Sequence, residues 1–138
     1  MNKRNITVRM KAEKEYVAVN PQGNPVDIDM YHGEDKKAQS PMDLLLSALG
    51  GCSAVDAVIM MKKKRRTVED FSIELEGTRA DGTPAYYTHI HLKFVLVSPD
   101  ATEEEFAKVV ALSVDKYCSV AGSLKSEITY SSEVRRQA

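Results

Sequence analysis

The chain has 138 residues, 43% hydrophobic and 28% charged, with a formal net charge of −1. These totals suit one soluble domain, and a near-neutral balance leaves no surplus of cations for a general nucleic-acid or membrane-surface role. No run reaches the ~18 apolar residues of a membrane span, and the N-terminal MNKRNITVRMK lacks the apolar core of a signal peptide. A cytoplasmic location is therefore expected, where two cysteines read as reactive or buried thiols and not as a permanent bridge. Trp is absent and aromatics are few, so aliphatic side chains must supply most of the core, and dimerisation would add to it.

The first third predicts short strands. Ile6, Val8 and Met10 alternate with polar residues, Tyr16 to Val19 forms a second run, and Val26, Ile28 and Met30 alternate with Asp27 and Asp29 in a third. Pro21-Gln22-Gly23-Asn24-Pro25 is a turn, and residues 31–39 are a polar loop. Ser40 opens a long helix: Pro41 suits its first position, and Asp43 stands where a capping box wants an acid. The pattern carries that helix to about Arg66, roughly 40 Å. Leu44, Leu45, Leu46, Leu49, Val55, Val58, Ile59 and Met60 make it apolar on nearly every side, so it is expected to be central and buried.

Phe71, Ile73 and Leu75, then Ile90, Leu92, Phe94 and Leu96, predict two more strands around a turn at Asp81-Gly82-Thr83-Pro84. Thr102 and Glu105 form a second capping box, and Phe106, Val110, Val114 and Cys118 fall in one i+4 row. Ser119 to Lys125 reads as a further helical turn and Ile128 to Tyr130 as a closing strand. The order β-β-β-α-β-β-α-(α)-β implies an α+β fold of one domain over 1–138: an antiparallel sheet with helices segregated to one side.

Gly50-Gly51 interrupts the long helix directly before Cys52. Each glycine costs about 1 kcal/mol there relative to alanine, which is tolerated where something must approach the backbone. Cys52 is surrounded by small residues, and Cys118 has Lys116 nearby, a cation of the kind that favours a thiolate. Two readings stand side by side: buried cysteines acting as small hydrophobes, or two helix-borne thiols able to form a transient disulfide.

Ser40-Pro41-Met42-Asp43-Leu44-Leu45-Leu46, Ala48-Leu49-Gly50-Gly51-Cys52, Asp56-Ala57-Val58 and Lys62-Lys63-Lys64-Arg65 together resemble the central helix of the OsmC/Ohr family. Glu76-Gly77-Thr78-Arg79 with Pro84 and His89-Ile90-His91-Leu92 resembles its following strand pair, and Asp115-Lys116-Tyr117-Cys118-Ser119-Val120 its second cysteine motif. The resemblance implies an intertwined homodimer that reduces hydroperoxides, preferring organic ones. It implies Cys52 as the peroxidatic thiolate, Cys118 as the resolving thiol, and a lipoyl-type dithiol as reductant. Asp43 and Cys52 are nine residues apart, on opposite faces of a helix at 100° per residue. Asp43 would therefore serve the partner chain's site, or act simply as a helix cap.

Family members that act as hydroperoxide reductases carry an activating arginine in the N-terminal strands and loop. Here Lys11 to Asn24 contains none, which aligns the chain with the less characterised OsmC-like branch and leaves Arg79 as a substitute. The alternative is a non-enzymatic dimer of the same fold that senses oxidation or binds a small molecule. The basic run Lys62 to Arg66 reads as a helix C-terminal charge cluster. His32, His89 and His91 have no further ligand at metal spacing. No nucleotide fingerprint or phosphate loop is present, so neither metal nor organic cofactor is expected.

Overall fold

The computed structural model describes residues 2–138. Strands β1 (Thr7–Ala12), β2 (Glu15–Val19) and β3 (Pro25–Asp29) precede helix α1 (Pro41–Lys63). Then come β4 (Asp70–Arg79), β5 (Tyr87–Val97), α2 (Glu103–Leu112), a π-helical turn (Ser113–Tyr117), α3 (Ser119–Ser123) and β6 (Glu127–Arg135). Two compact units result, one reaching to Leu45 and one of Leu46–Ala138, so the boundary lies inside α1.

In the first unit the strands pair antiparallel in the order β1-β2-β3. Their register puts Val8, Ala18 and Val26 in one cross-strand row and Met10, Tyr16 and Ile28 in the next. The period of two therefore gathers the apolar residues on one face. That face is uncovered: Val8 is 57% and Met10 69% exposed.

The polar loop that follows is ordered by a buried anion. Asp29 accepts hydrogen bonds from the Lys36 ammonium (2.7 Å) and from the backbone N–H groups of Lys37 (2.7 Å), Ala38 (2.8 Å) and Tyr31 (3.3 Å). The Lys36 ammonium, followed by the backbone donors, holds its carboxyl down at about 2.

Helix α1 begins as its sequence dictates. Ser40 Oγ accepts the Asp43 N–H, and the Asp43 carboxylate accepts the Ser40 N–H, both at 3.2 Å. The helix spans 23 residues, roughly 35 Å. It stops short of Arg66 because Arg65 adopts a left-handed φ of 63°, which ends helical hydrogen bonding.

Burial on α1 is confined to one stripe of Leu49, Gly50, Ser53, Ala57 and Met61, while Val55 and Ile59 remain 59% and 48% exposed. This corrects the expectation of a helix buried on nearly every side: the chain alone supplies cover for one face. By length and composition α1 also meets the criterion for a membrane span, contrary to the sequence expectation. In the structure 28% of its 18-residue apolar window is buried.

The second unit holds a sheet of order β4-β5-β6. β4 and β5 are antiparallel, but β5 and β6 run parallel from His89↔Glu127 to Val97↔Arg135. The sheet is mixed, correcting the wholly antiparallel expectation. The intervening α2, π turn and α3 form a crossover long enough to return the chain in the same direction. β5 is central, with Ile90, Leu92, Phe94 and Leu96 fully buried. Phe71 meets Phe94 and Phe106 edge-on, with centroids 6.1 and 6.2 Å apart, joining α2 to the sheet. Gly77 lies under the Tyr87 ring, where a Cβ would come within 2.5 Å of a ring carbon. The capping box of Thr102 and Glu105 forms as expected.

Because the folded Asp29 pKa lies below its unfolded value, its contribution is present above about pH 4 and is lost as pH falls toward 2. Asp29→Asn is therefore expected to be less stable than wild type in urea at pH 7, with the difference closing between pH 4 and 2. Equal stability of the two proteins at pH 7 would contradict this.

A candidate active site around Cys52 and Cys118

Two consecutive α1 residues contribute to the site. Ser53 belongs to the buried stripe and is fully enclosed. Cys52, one position earlier, is only half-buried. Leading into them, Gly50 admits the side chain of Leu75 from β4: a Cβ there would stand 2.9 Å from Leu75 Cδ1. The close approach expected of the glycine pair is thus real at Gly50. At Gly51 a Cβ would meet nothing within 4 Å.

The second thiol arrives by a route the i+4 row conceals. α2 ends at Leu112 and the chain widens into the π turn, which shifts everything after it out of the i+4 row. Cys118 then leaves helical geometry (φ −76°, ψ 104°) and becomes the N-cap of α3, its sulfur accepting the Ala121 N–H at 3.4 Å. This corrects the expectation that Cys118 continues the i+4 row of the second helix. The π turn is tied to β6 by the Tyr130 hydroxyl, which donates to the Asp115 carboxylate at 2.5 Å. That carboxylate pushes the Tyr130 phenol above its ordinary pKa.

The Ser53 hydroxyl donates to Cys118 Sγ at 3.5 Å, bridging α1 and the α2–α3 connection. Burial raises the Cys118 thiol pKa, the Ser53 hydroxyl and Ala121 N–H act in the opposite sense, and the adjoining Cys52 thiol raises it further. Through the Ser53 hydrogen bond Cys118, 66 positions after Cys52, is held against the α1 residue that follows Cys52. Lys116 does not play the part expected of it, because its ammonium lies over the Tyr117 ring, 5.3 Å from the centroid.

Other sequence candidates lie elsewhere. Asp43 is engaged in the cap at the start of α1. Arg79 donates to the Ala85 carbonyl at 2.7 Å, closing its own hairpin. His89 and His91 share the Thr129 hydroxyl at 2.9 and 2.7 Å, and His91 also reaches Ser131. Among the described residues no group of three potential metal ligands converges. Arg66 pairs with Glu105 at 2.7 Å. A shallow groove of about 240 Å³ is lined by Asp56, Ile59, Met60, Lys63 and Tyr117.

Sequence reasoning overlooked Ser53 and the Asp115–Tyr130 pair. A signal for Ser53 existed: residues 49, 53, 57 and 61 are spaced by four, so the one polar member of that set had to be buried and in need of a partner. The Asp115–Tyr130 pair has no comparable local signature, since it depends on how β6 returns beside the sheet.

The family model for OsmC-like proteins matches residues 33–133. The Escherichia coli K12 protein YhfA is 40% identical over 114 residues, covering 81% of this chain and 84% of YhfA. An OsmC-like protein from Mycoplasma pneumoniae superposes with a TM-score of 0.83 at 21% identity, covering 98% of this chain and 99% of that one. The organic hydroperoxide resistance protein OhrB of Bacillus subtilis does so with 0.63 at 11% identity, covering 97% and 98%. The similarity is thus much greater toward YhfA than toward OhrB, and the chain belongs to the OsmC-like protein family.

Proposed function

We propose that the protein is a thiol-dependent peroxidase that reduces organic hydroperoxides through Cys52 and Cys118. The observation that carries this reading is the Ser53 hydroxyl's hydrogen bond to the buried Cys118 sulfur, which brings that thiol to the α1 residue next to half-buried Cys52. Their unequal exposure fits unequal roles. Cys52 as thiolate attacks the outer peroxide oxygen; the O–O bond breaks, the alkoxide takes a proton from solvent, and Cys52 becomes a sulfenic acid. Cys118 then attacks the Cys52 sulfur, the S–O bond breaks, and the departing hydroxide leaves as water with the Cys118 proton. A lipoyl-type dithiol reduces the resulting disulfide by two successive exchanges. The apolar side chains of Ile59, Met60 and Tyr117 in the groove they share with Asp56 and Lys63 suit an organic peroxide.

The active form in this reading is a homodimer. Val55 and Ile59 on α1, and Val8 and Met10 on the first sheet, expose apolar surface that a second copy would cover. A non-enzymatic redox sensor of the same fold is the second reading, supported by the engagement of Arg79 with Ala85 and by the lack of arginine from Lys11 to Asn24.

Turnover of cumene hydroperoxide with dihydrolipoamide separates the two. The peroxidase reading predicts sustained turnover by wild type and loss by about two orders of magnitude or more in Cys52→Ser. Cys118→Ser should still form one equivalent of sulfenic acid, without disulfide. Disulfide formation by wild type without turnover would favour the sensor. Light scattering should give wild type twice the chain mass and shift Ile59→Asp toward monomer; a monomeric wild type would overturn the dimer.

A further inference from the structure

Resolution asks something specific of Cys118. It must lose its proton in a buried place and keep its sulfur aimed at Cys52. Cations that often perform this task are engaged elsewhere: Lys116 rests on Tyr117 and Arg79 on Ala85. Two neutral donors do touch the sulfur, the Ala121 N–H at 3.4 Å and the Ser53 hydroxyl at 3.5 Å. One is backbone and belongs to the turn that Cys118 caps. The other is a side chain, wholly enclosed, on the residue next to Cys52.

We infer that Ser53 is the positioning residue of the resolving step: its buried hydroxyl holds the Cys118 sulfur and stabilises it as a thiolate while it attacks oxidised Cys52. A hydrogen bond to an ion is stronger than one to its neutral form, more so in a buried setting. The Ser53 contact therefore strengthens as Cys118 gives up its proton. Because Ser53 and Cys52 are consecutive on one rigid helix, the same contact also fixes the approach of one sulfur to the other. The assignment deepens the peroxidase reading, but its test needs no peroxide.

The first measurement is the thiolate absorbance of Cys118 against pH in Cys52→Ser, with and without Ser53→Ala. Loss of the donor should raise the Cys118 midpoint by about one pH unit. The second uses the diazene oxidant diamide on proteins retaining both cysteines. Cys52 adds to the N=N bond, and Cys118 displaces the hydrazine, forming the disulfide. Ser53→Ala should close that disulfide about tenfold more slowly near neutral pH, with the gap narrowing above the thiolate midpoint to the part that lost positioning leaves. Ser53→Thr, which keeps the hydroxyl, should retain the wild-type midpoint. The inference is overturned if Ser53→Ala leaves the midpoint in place, if it slows closure equally at every pH, or if Ser53→Thr shifts the midpoint as far as alanine does. Failure of hydroperoxide turnover with these results intact would refute only the peroxidase reading.

Discussion

The seating of the Cys118 sulfur between the Ser53 hydroxyl and the Ala121 N–H is the contact that connects the helical scaffold to its chemistry. It requires α1 to present a small polar residue on its buried stripe, and Gly50 to admit Leu75 one turn earlier. It also requires the π turn, without which Cys118 would continue a regular helix and could not cap α3. The Tyr130–Asp115 hydrogen bond holds that turn from the β6 side. Each element is ordinary alone, and together they hold a buried thiol against the residue that follows a half-buried one.

Burial has opposite consequences for folding and for reactivity here. Enclosing Cys118 contributes apolar packing but disfavours its thiolate, so a resolving thiol in this position needs donors. Asp29 meets the same problem differently: an ammonium and backbone N–H groups keep a nearly inaccessible carboxylate charged. A charge can be met by a countercharge at a structural anchor. At the Cys118 sulfur the donors in contact are neutral ones, the Ser53 hydroxyl and the Ala121 N–H.

Much of this organisation was legible in the sequence. Capping residues fixed both helix starts, because Ser40–Asp43 and Thr102–Glu105 satisfy local backbone donors that no distant contact need supply. Alternation located the strands, and the cysteine motifs carried the family. The π turn was hidden because Phe106, Val110, Val114 and Cys118 keep perfect helical spacing straight through it. The parallel pairing of β6 was hidden because strand direction depends on the crossover path, not on the strand's own residues. The exposed face of α1 was misjudged for a physical reason: apolar composition favours burial without fixing which face of a helix is covered.

The most direct measurement is a peptide map of the protein, oxidised with one equivalent of an organic hydroperoxide and digested under non-reducing conditions. The account predicts a single covalent link, Cys52 to Cys118 within one chain, with the loss of two hydrogens and full reversal by dithiol. Cysteines recovered as unlinked sulfinic or sulfonic acids, or joined only between chains, would contradict it.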